Sequence, residues 1–183
     1  MNNSWFFIML LTTVSLLTYG HQKNKFFSNL PTNELVQMPP KFKYINWEAS
    51  LSPLVNNMML VDGIRKNSLL LVNTIKNNTN GSLKSGQATT MLRSLIAAAN
   101  SEKFTLIRVD TIKSARINLG LSYEDSLESR SKAIALARYL KAQYVLYSTA
   151  NGDIKKPELD MQLMLVNTGE IVWDGKGIII YSK

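Results

Sequence analysis

The sequence predicts a mixed α/β fold in which helices pack on one β-sheet that contains both parallel and antiparallel strands. From residue 47 to residue 149, segments with helical spacing of apolar residues alternate with short apolar runs, which favours parallel strands joined by helices. Leu159 to Gly177 then alternates at period two around Thr168-Gly169, which is typical of an antiparallel hairpin. The predicted order of elements is α-β-α-β-α-α-β-β-β.

The first predicted helix carries an apolar stripe that begins at Trp47. Pro53 lies inside the stripe, so we expect the helix to begin near Ser52, with the proline at its first position. Leu69 to Ile75 is almost entirely apolar, as in a strand that is covered on both faces. A polar loop is predicted from Asn77 to Lys84, with a tight turn at Asn80-Gly81.

The next helix has the clearest amphipathic pattern of the chain, from Ala88 to Ala99. Phe104 to Val109 is predicted to be a short strand. A brief helix follows and ends at Gly120, because glycine adopts the left-handed conformation that closes many helices. A longer helix is predicted from Leu127 to Lys141, and Gln143 to Thr149 forms the strand before the hairpin.

The start of that longer helix contains Ser129-Arg130-Ser131-Lys132, which matches the S-x-x-K nucleophile motif of penicillin-binding proteins. The other motifs of those enzymes are not in place: the K-T-G-like Lys84-Ser85-Gly86 precedes it, and no S-x-N lies between. We therefore interpret the motif as the first turn of a helix with Ser126 as its N-cap.

The composition excludes several kinds of chemistry. The chain has 183 residues, no cysteine and one histidine, His21. It therefore offers no thiol nucleophile and no histidine for a catalytic triad in the folded region, and we expect no enzyme, cofactor or metal site. Asp160 and Glu170 are interpreted as solvated hairpin residues. The net charge of +8 comes from scattered residues, so nucleic-acid binding is not expected.

The chain is predicted to have three parts. Residues 1–20 form a signal peptide or signal anchor, because residues 5–19 are apolar but fewer than the roughly 20 residues that span a membrane. Residues 21–43 form a flexible linker rich in Asn, Lys and Pro, with an extended reach of at most about 80 Å. Residues 44–183 form the globular domain.

Three blocks of this domain resemble the LpoB family, the lipoprotein activators of class A penicillin-binding proteins. They are LLLVNTIKNNTNGSL, LGLSYEDSLESRSKAIALARYLKAQYVLYS and LDMQLMLVNTGEIVWDGKG, and the likeness extends over Trp47 to Lys176. The resemblance implies a fold similar to the amino-terminal domain of TolB. It also implies a noncatalytic monomer that docks on a small noncatalytic domain of a bifunctional synthase of the 1B type. Docking would stimulate both its glycosyltransferase and its transpeptidase activity.

The resemblance places the docking patch at the start of the Leu127–Lys141 helix and on the neighbouring strand. Asp125, Arg130, Lys132 and Tyr147 match the motif there, and we expect Tyr147 and Arg130 to contribute most, as exposed aromatic and charged residues. A fold alone does not define a function. The alternative is a periplasmic module with a TolB-like fold that binds glycan or an envelope complex.

Members of the family carry a lipid on a cysteine and are tethered to the periplasmic side of the outer membrane. His21 stands where that cysteine would be, so we expect no lipidation. The leader then remains as an anchor, is cleaved at Gly20, or reflects a misassigned start. The linker is shorter than the family's, which favours an anchor in the inner membrane beside the partner and leaves a free periplasmic form open.

Overall fold

The computed structural model describes residues 44–99, 102–122, 127 and 129–182, so His21, Asp125, Ser126 and the predicted leader and linker lie outside the described residues. In the described part, no helix has the length and apolar character needed to cross a membrane. The elements are α1 Trp47–Met59, β1 Ser68–Val72, β2 Lys76–Thr79, α2 Ser85–Ala98, β3 Phe104–Leu106, α3 Val109–Asn118, α4 Arg130–Tyr139, β4 Tyr144–Gly152, β5 Glu158–Leu165 and β6 Ile171–Ile178.

The described strands form one sheet in the order β3-β1-β4-β5-β6, with β2 also paired to β4. β1 pairs in parallel with both β3 and β4, whereas β5 is antiparallel to β4 and to β6. The predicted mixed sheet, with parallel strands early in the chain and an antiparallel hairpin at its end, is confirmed. The predicted similarity to TolB stays a prediction.

Strand β2 is an addition to the predicted order, because Asn77 begins no loop but lies within this strand. β1 and β2 both run along the same edge of β4: Val72 lies opposite Leu146, and Lys76 lies opposite Thr149. Lys76 is four residues after Val72, whereas Thr149 is only three residues after Leu146. The extra residue makes the edge bulge between β1 and β2. Main-chain pairing with β4 extends this segment despite its polar side chains.

Helix α1 begins earlier than predicted, since Asn46 caps it and the Oδ1 atom of Asn46 accepts a hydrogen bond of 3.0 Å from the main-chain N–H of Ala49. Pro53 lies inside the helix on its exposed side. The expected start near Ser52 is therefore wrong, because burial of Trp47 and Leu51 stabilises the helical turn that precedes the proline.

Helices cover both faces of the sheet. One core contains α1 and α2 with Leu70, Val72 and Leu146, and the other contains α3 and α4 with Leu71 and Val145. Neighbouring residues of a strand point to opposite faces, so Leu70 and Leu71 enter different cores. This is the two-sided burial that the apolar run of β1 predicts.

The two ends of the described domain are held together beside α1. Ile45 forms an antiparallel bridge with Tyr181. The main-chain N–H of Ser182 donates to the carbonyl of Tyr44 at 2.6 Å, and the N–H of Asn46 donates to the carbonyl of Ile180 at 2.7 Å. The first and last residues that the structure describes therefore lie side by side.

Candidate docking surface

A polar cleft of about 500 Å³, here called the docking cleft, lies where β2, β4 and β5 meet the first turn of α4. It is on the α4 face of the sheet, because Tyr147 both lines it and belongs to the core beneath α4. The lining residues are Lys76, Asn78, Ser129, Arg130, Ser131, Tyr147, Thr149, Asn151, Asp160 and Gln162.

The strands supply this polar surface through simple alternation. On β4, the cleft-lining Tyr147, Thr149 and Asn151 alternate with Leu146, Ser148 and Ala150, which are fully buried on the other face. β5 repeats the pattern, because Asp160 and Gln162 line the cleft between the buried residues Leu159, Met161 and Leu163. The residues of β4 and β5 lie opposite each other: Tyr147 pairs with Gln162, and Thr149 with Asp160.

Tyr147 is more enclosed than the sequence predicts, with a relative exposure of 8%. Its hydroxyl donates to the carbonyl of Leu127 at 3.3 Å. The expectation of an exposed tyrosine is wrong, because α4 and the residues before it cover most of the ring. Burial raises the pKa of Tyr147, while a hydrogen bond with Thr149 and the positive charge of Arg130 lower it.

The start of α4 is set by Ser129. Its Oγ atom accepts a hydrogen bond of 3.3 Å from the main-chain N–H of Lys132, so Ser129 is the N-cap and the helix begins at Arg130. The prediction of Ser126 as the cap and Leu127 as the helix start is wrong. The interpretation of the S-x-x-K sequence as a first helical turn is confirmed, because the serine caps the backbone of the motif's own lysine.

The structure brings together two of the four predicted docking residues. Arg130 and Tyr147 line the docking cleft. Lys132 is exposed on α4 but does not line it, and Asp125 lies outside the described residues. Asp160 lines the cleft, whereas Glu170 lies at the other end of the hairpin, where its carbonyl accepts from Leu165. These two carboxylates therefore form no pair, as the sequence analysis expects.

Among the strand residues of the cleft, sequence reasoning missed six: Lys76, Asn78, Thr149, Asn151, Asp160 and Gln162. The signal that could have found them is a polar residue at every second position of adjacent strands. That signal needs the pairing of β2 with β4, which joins Lys76 to Thr149 and Asn78 to Asn151. The polar NNT sequence of β2 does not predict a strand by itself.

The chemistry of the cleft suits recognition of a polar partner. Arg130 is exposed, and Asp160 makes no ion pair within the described ranges, so both charges can serve an incoming surface. The Oε1 atom of Gln162 is buried without a hydrogen-bond partner in the described part of the chain. An unmatched buried acceptor is costly, so a donor from a partner would be favoured there.

The sequence matches the family described as "Peptidoglycan-synthase activator LpoB" over residues 37–179. It is 60% identical over 140 residues to the penicillin-binding protein activator LpoB of Sodalis glossinidius, which covers 76% of this chain and 71% of that protein. The Dickeya dadantii activator is 55% identical over 162 residues, 82% of each chain. The solved C-terminal domain of LpoB from Escherichia coli superposes with a TM-score of 0.66 at 47% identity, and the match covers 74% of this chain and 98% of that domain.

These relatives are named as activators, so the chain is a regulator of peptidoglycan synthesis in the cell envelope rather than an enzyme. The chain belongs to the LpoB family of peptidoglycan-synthase activators. The family resemblance stated from the sequence is thereby confirmed.

Proposed function

We propose that this chain docks on a small noncatalytic domain of a class A bifunctional penicillin-binding protein of the 1B type and stimulates both of its activities. The observation that carries the proposal is the joint position of Arg130 and Tyr147 in one cleft. The family resemblance implies that both residues belong to the docking patch, and the activator names of the relatives support a penicillin-binding protein as the partner.

The cleft is suited to this role because it is built on rigid elements. β4 carries Tyr147 and Thr149 and is held on both sides by paired strands. The first turn of α4 adds Arg130 from above. Stimulation requires that this surface bind the active arrangement of the synthase more tightly than the inactive one. A preformed surface makes that selection without an ordering cost of its own.

The test uses residues 44–183, produced without the leader, and the cognate bifunctional synthase. Polymerisation and crosslinking of lipid II are followed with and without the domain. Faster formation of both products is expected. We further expect Arg130→Glu to raise the domain concentration needed for half-maximal stimulation at least tenfold, because it reverses the exposed charge at the cleft.

The matched control is Arg65→Glu, which reverses an exposed charge in the loop before β1, outside the docking cleft. It should stimulate like the unaltered domain. Equal weakening by both variants would mean that only net charge matters and would contradict the docking cleft. If the folded domain does not stimulate the synthase and instead sediments together with glycan, the alternative would be favoured, a periplasmic glycan-binding or envelope-complex module.

The location follows from the same proposal. Residues 5–19 would tether the chain to the inner membrane, because His21 replaces the lipid-carrying cysteine and the linker of residues 21–43 is short. An inner-membrane anchor would keep the domain in the periplasm close to its synthase. Membrane fractionation tests this, and recovery of the protein in the outer membrane would contradict it.

A further inference from the structure

A second cleft of about 450 Å³, here called the edge crevice, opens at the carboxyl ends of β1 and β3. These strands are parallel neighbours, with Ser68 opposite Phe104. After β1 and β2 the chain enters α2, which packs on the same face as Leu70, whereas after β3 it enters α3 on the face of Leu71. When the helices that follow two adjacent parallel strands lie on opposite faces of the sheet, a crevice forms at the carboxyl ends of the strands. Ligands of α/β folds commonly bind in such a crevice.

The lining of the edge crevice combines positive charge with an apolar wall. α2 contributes Arg93, and α3 contributes Lys113 and Arg116. Among the described residues that line it, none is Asp or Glu. The remaining lining residues are apolar, glycine or hydroxyl-bearing: Val72, Thr74, Gly86, Thr89, Thr90, Val109 and Ile112. The crevice is therefore complementary to an anion that carries an apolar body.

Arg93 gives the clearest indication that the edge crevice suits an anion. Its Nη2 atom donates to the carbonyl of Ile107 at 2.7 Å, while its Nη1 atom is buried without a hydrogen-bond partner in the described part of the chain. Burial lowers the pKa of Arg93, because the surroundings disfavour the charged form. A carboxylate beside Nη1 would supply both the acceptor and the opposite charge.

Arg116 fixes a second guanidinium on the other side of the crevice. Its side chain is 2% exposed. Nη1 donates to the carbonyl of Ser122 at 2.8 Å, and Nη2 donates to the Oδ1 atom of Asn73 at 3.1 Å. These contacts fix the positive charge of Arg116 beside the crevice, where it adds to the positive potential around Arg93.

We propose that the edge crevice binds a small organic carboxylate with an aliphatic body, of the size and chemistry of a dipeptide with a free C-terminal carboxylate. Its volume lies within the range of roughly 300–1,000 Å³ that is usual for small-molecule sites. Arg93 would face the carboxylate, and Val72, Val109 and Ile112 would contact the aliphatic part. The docking cleft shares none of these residues.

The test is isothermal titration calorimetry on the full chain in a non-ionic detergent. The probes are acetyl-alanyl-alanine, its C-terminal amide and inorganic phosphate. We expect a dissociation constant on the order of 1 mM for the carboxylate peptide, as for other small ligands of that size. Binding of the amide and of phosphate should be at least about tenfold weaker, since one lacks the charge and the other lacks the aliphatic body.

Two variants separate the site from net charge. Arg93→Gln should weaken binding of the carboxylate peptide at least about tenfold, while Arg65→Gln, which removes an exposed charge outside the crevice, should leave it unchanged. Methyl NMR spectra of the unaltered chain provide a measurement that needs no variant, with shifts expected at Val72 and Ile112. Equal binding of peptide and amide, equal binding of phosphate, equal effects of the two variants, or unmoved methyl signals would each overturn the proposal.

Discussion

The hydroxyl of Tyr147 donates a hydrogen bond of 3.3 Å to the main-chain carbonyl of Leu127. Tyr147 belongs to the central strand β4, and Leu127 comes just before α4, so the bond ties the approach to that helix to the sheet. Both residues are buried. The pair therefore holds the first turn of α4, and with it Arg130, at the edge of the docking cleft.

Removing this hydroxyl should weaken both stability and stimulation. For Tyr147→Phe we expect the free energy of unfolding in urea to fall by about 1–3 kcal/mol, because the hydrogen bonds of the hydroxyl with Leu127 and Thr149 are lost while the ring stays in place. Stimulation of the synthase should fall because the first turn of α4 is less firmly held. Tyr44→Phe alters an exposed tyrosine and should change the free energy of unfolding by less than about 0.5 kcal/mol. Unchanged stimulation by Tyr147→Phe at low domain concentration would contradict this role.

Truncation to alanine gives a less informative result at this position. Tyr147→Ala empties part of the core beneath α4 and should lower the free energy of unfolding by about 3–5 kcal/mol. Lost stimulation in that variant would then reflect misfolding as readily as lost docking. The phenylalanine variant is therefore the appropriate first substitution.

The alkaline stability of the domain should depend on Tyr147. Because burial raises the pKa of this phenol above its ordinary value of about 10, the folded state favours the neutral form. The raised pKa contributes to the free energy of unfolding, and this contribution is fully present below about pH 10 and is lost as the pH rises through the pKa of Tyr147 in the folded state. Between about pH 9 and pH 11, the urea midpoint of the unaltered domain should fall more than that of Tyr147→Phe. Parallel curves for the two proteins would contradict the expectation.

The N-cap of α4 can be tested with two neighbouring serines. Ser129→Ala removes the acceptor for the N–H of Lys132 and should lower the free energy of unfolding by about 1 kcal/mol. Ser131→Ala changes an exposed serine in the same turn and should leave that free energy within about 0.5 kcal/mol of its original value. Urea titration measures both. If the two variants were equally destabilised, Ser129 would not be acting as the cap.

A tight contact on β6 predicts a large effect from a single methyl group. A Cβ atom at Gly175 would lie 2.6 Å from the ring of Trp173 and 3.1 Å from the side chain of Leu54 on α1. Gly175→Ala should therefore lower the free energy of unfolding by about 1–3 kcal/mol, through overpacking. Gly86→Ala is the control, because its Cβ atom would meet open space within α2. If Gly175→Ala and the unaltered protein had the same melting temperature, Trp173 and Leu54 would have to move aside at little energetic cost, which would contradict the prediction.

The hairpin and α2 were predictable because their signals are local. On α2, Ala88, Leu92 and Ile96 are buried at the helical spacing that the sequence shows. On β5, Leu159, Met161 and Leu163 are buried at period two. Leu165, at the end of β5, is only partly buried. The register with β6 also shifts between Leu163 and Met164, and such an irregularity depends on the partner strand and leaves no local signal.

Features that depend on distant contacts were not predictable in the same way. Lys76–Thr79 is a strand because β4 pairs with it, and the docking cleft exists because that pairing aligns side chains from separate parts of the chain. Tyr147 was expected to be exposed because its position on β4 does not reveal that α4 covers it. The family resemblance found Arg130 and Tyr147, but only the sheet register shows that Asp160 and Gln162 lie beside them.

The pairing of Tyr44 with Ser182 also decides how the domain would respond to mechanical force. Tension transmitted through the preceding chain reaches the domain at Tyr44, and the first bonds to bear it are those between residues 44–46 and residues 180–182. Peeling this short antiparallel contact would next free Asn46, the cap of α1. The weakest link under load is therefore expected at the point of attachment, while β4 and the docking cleft stay intact.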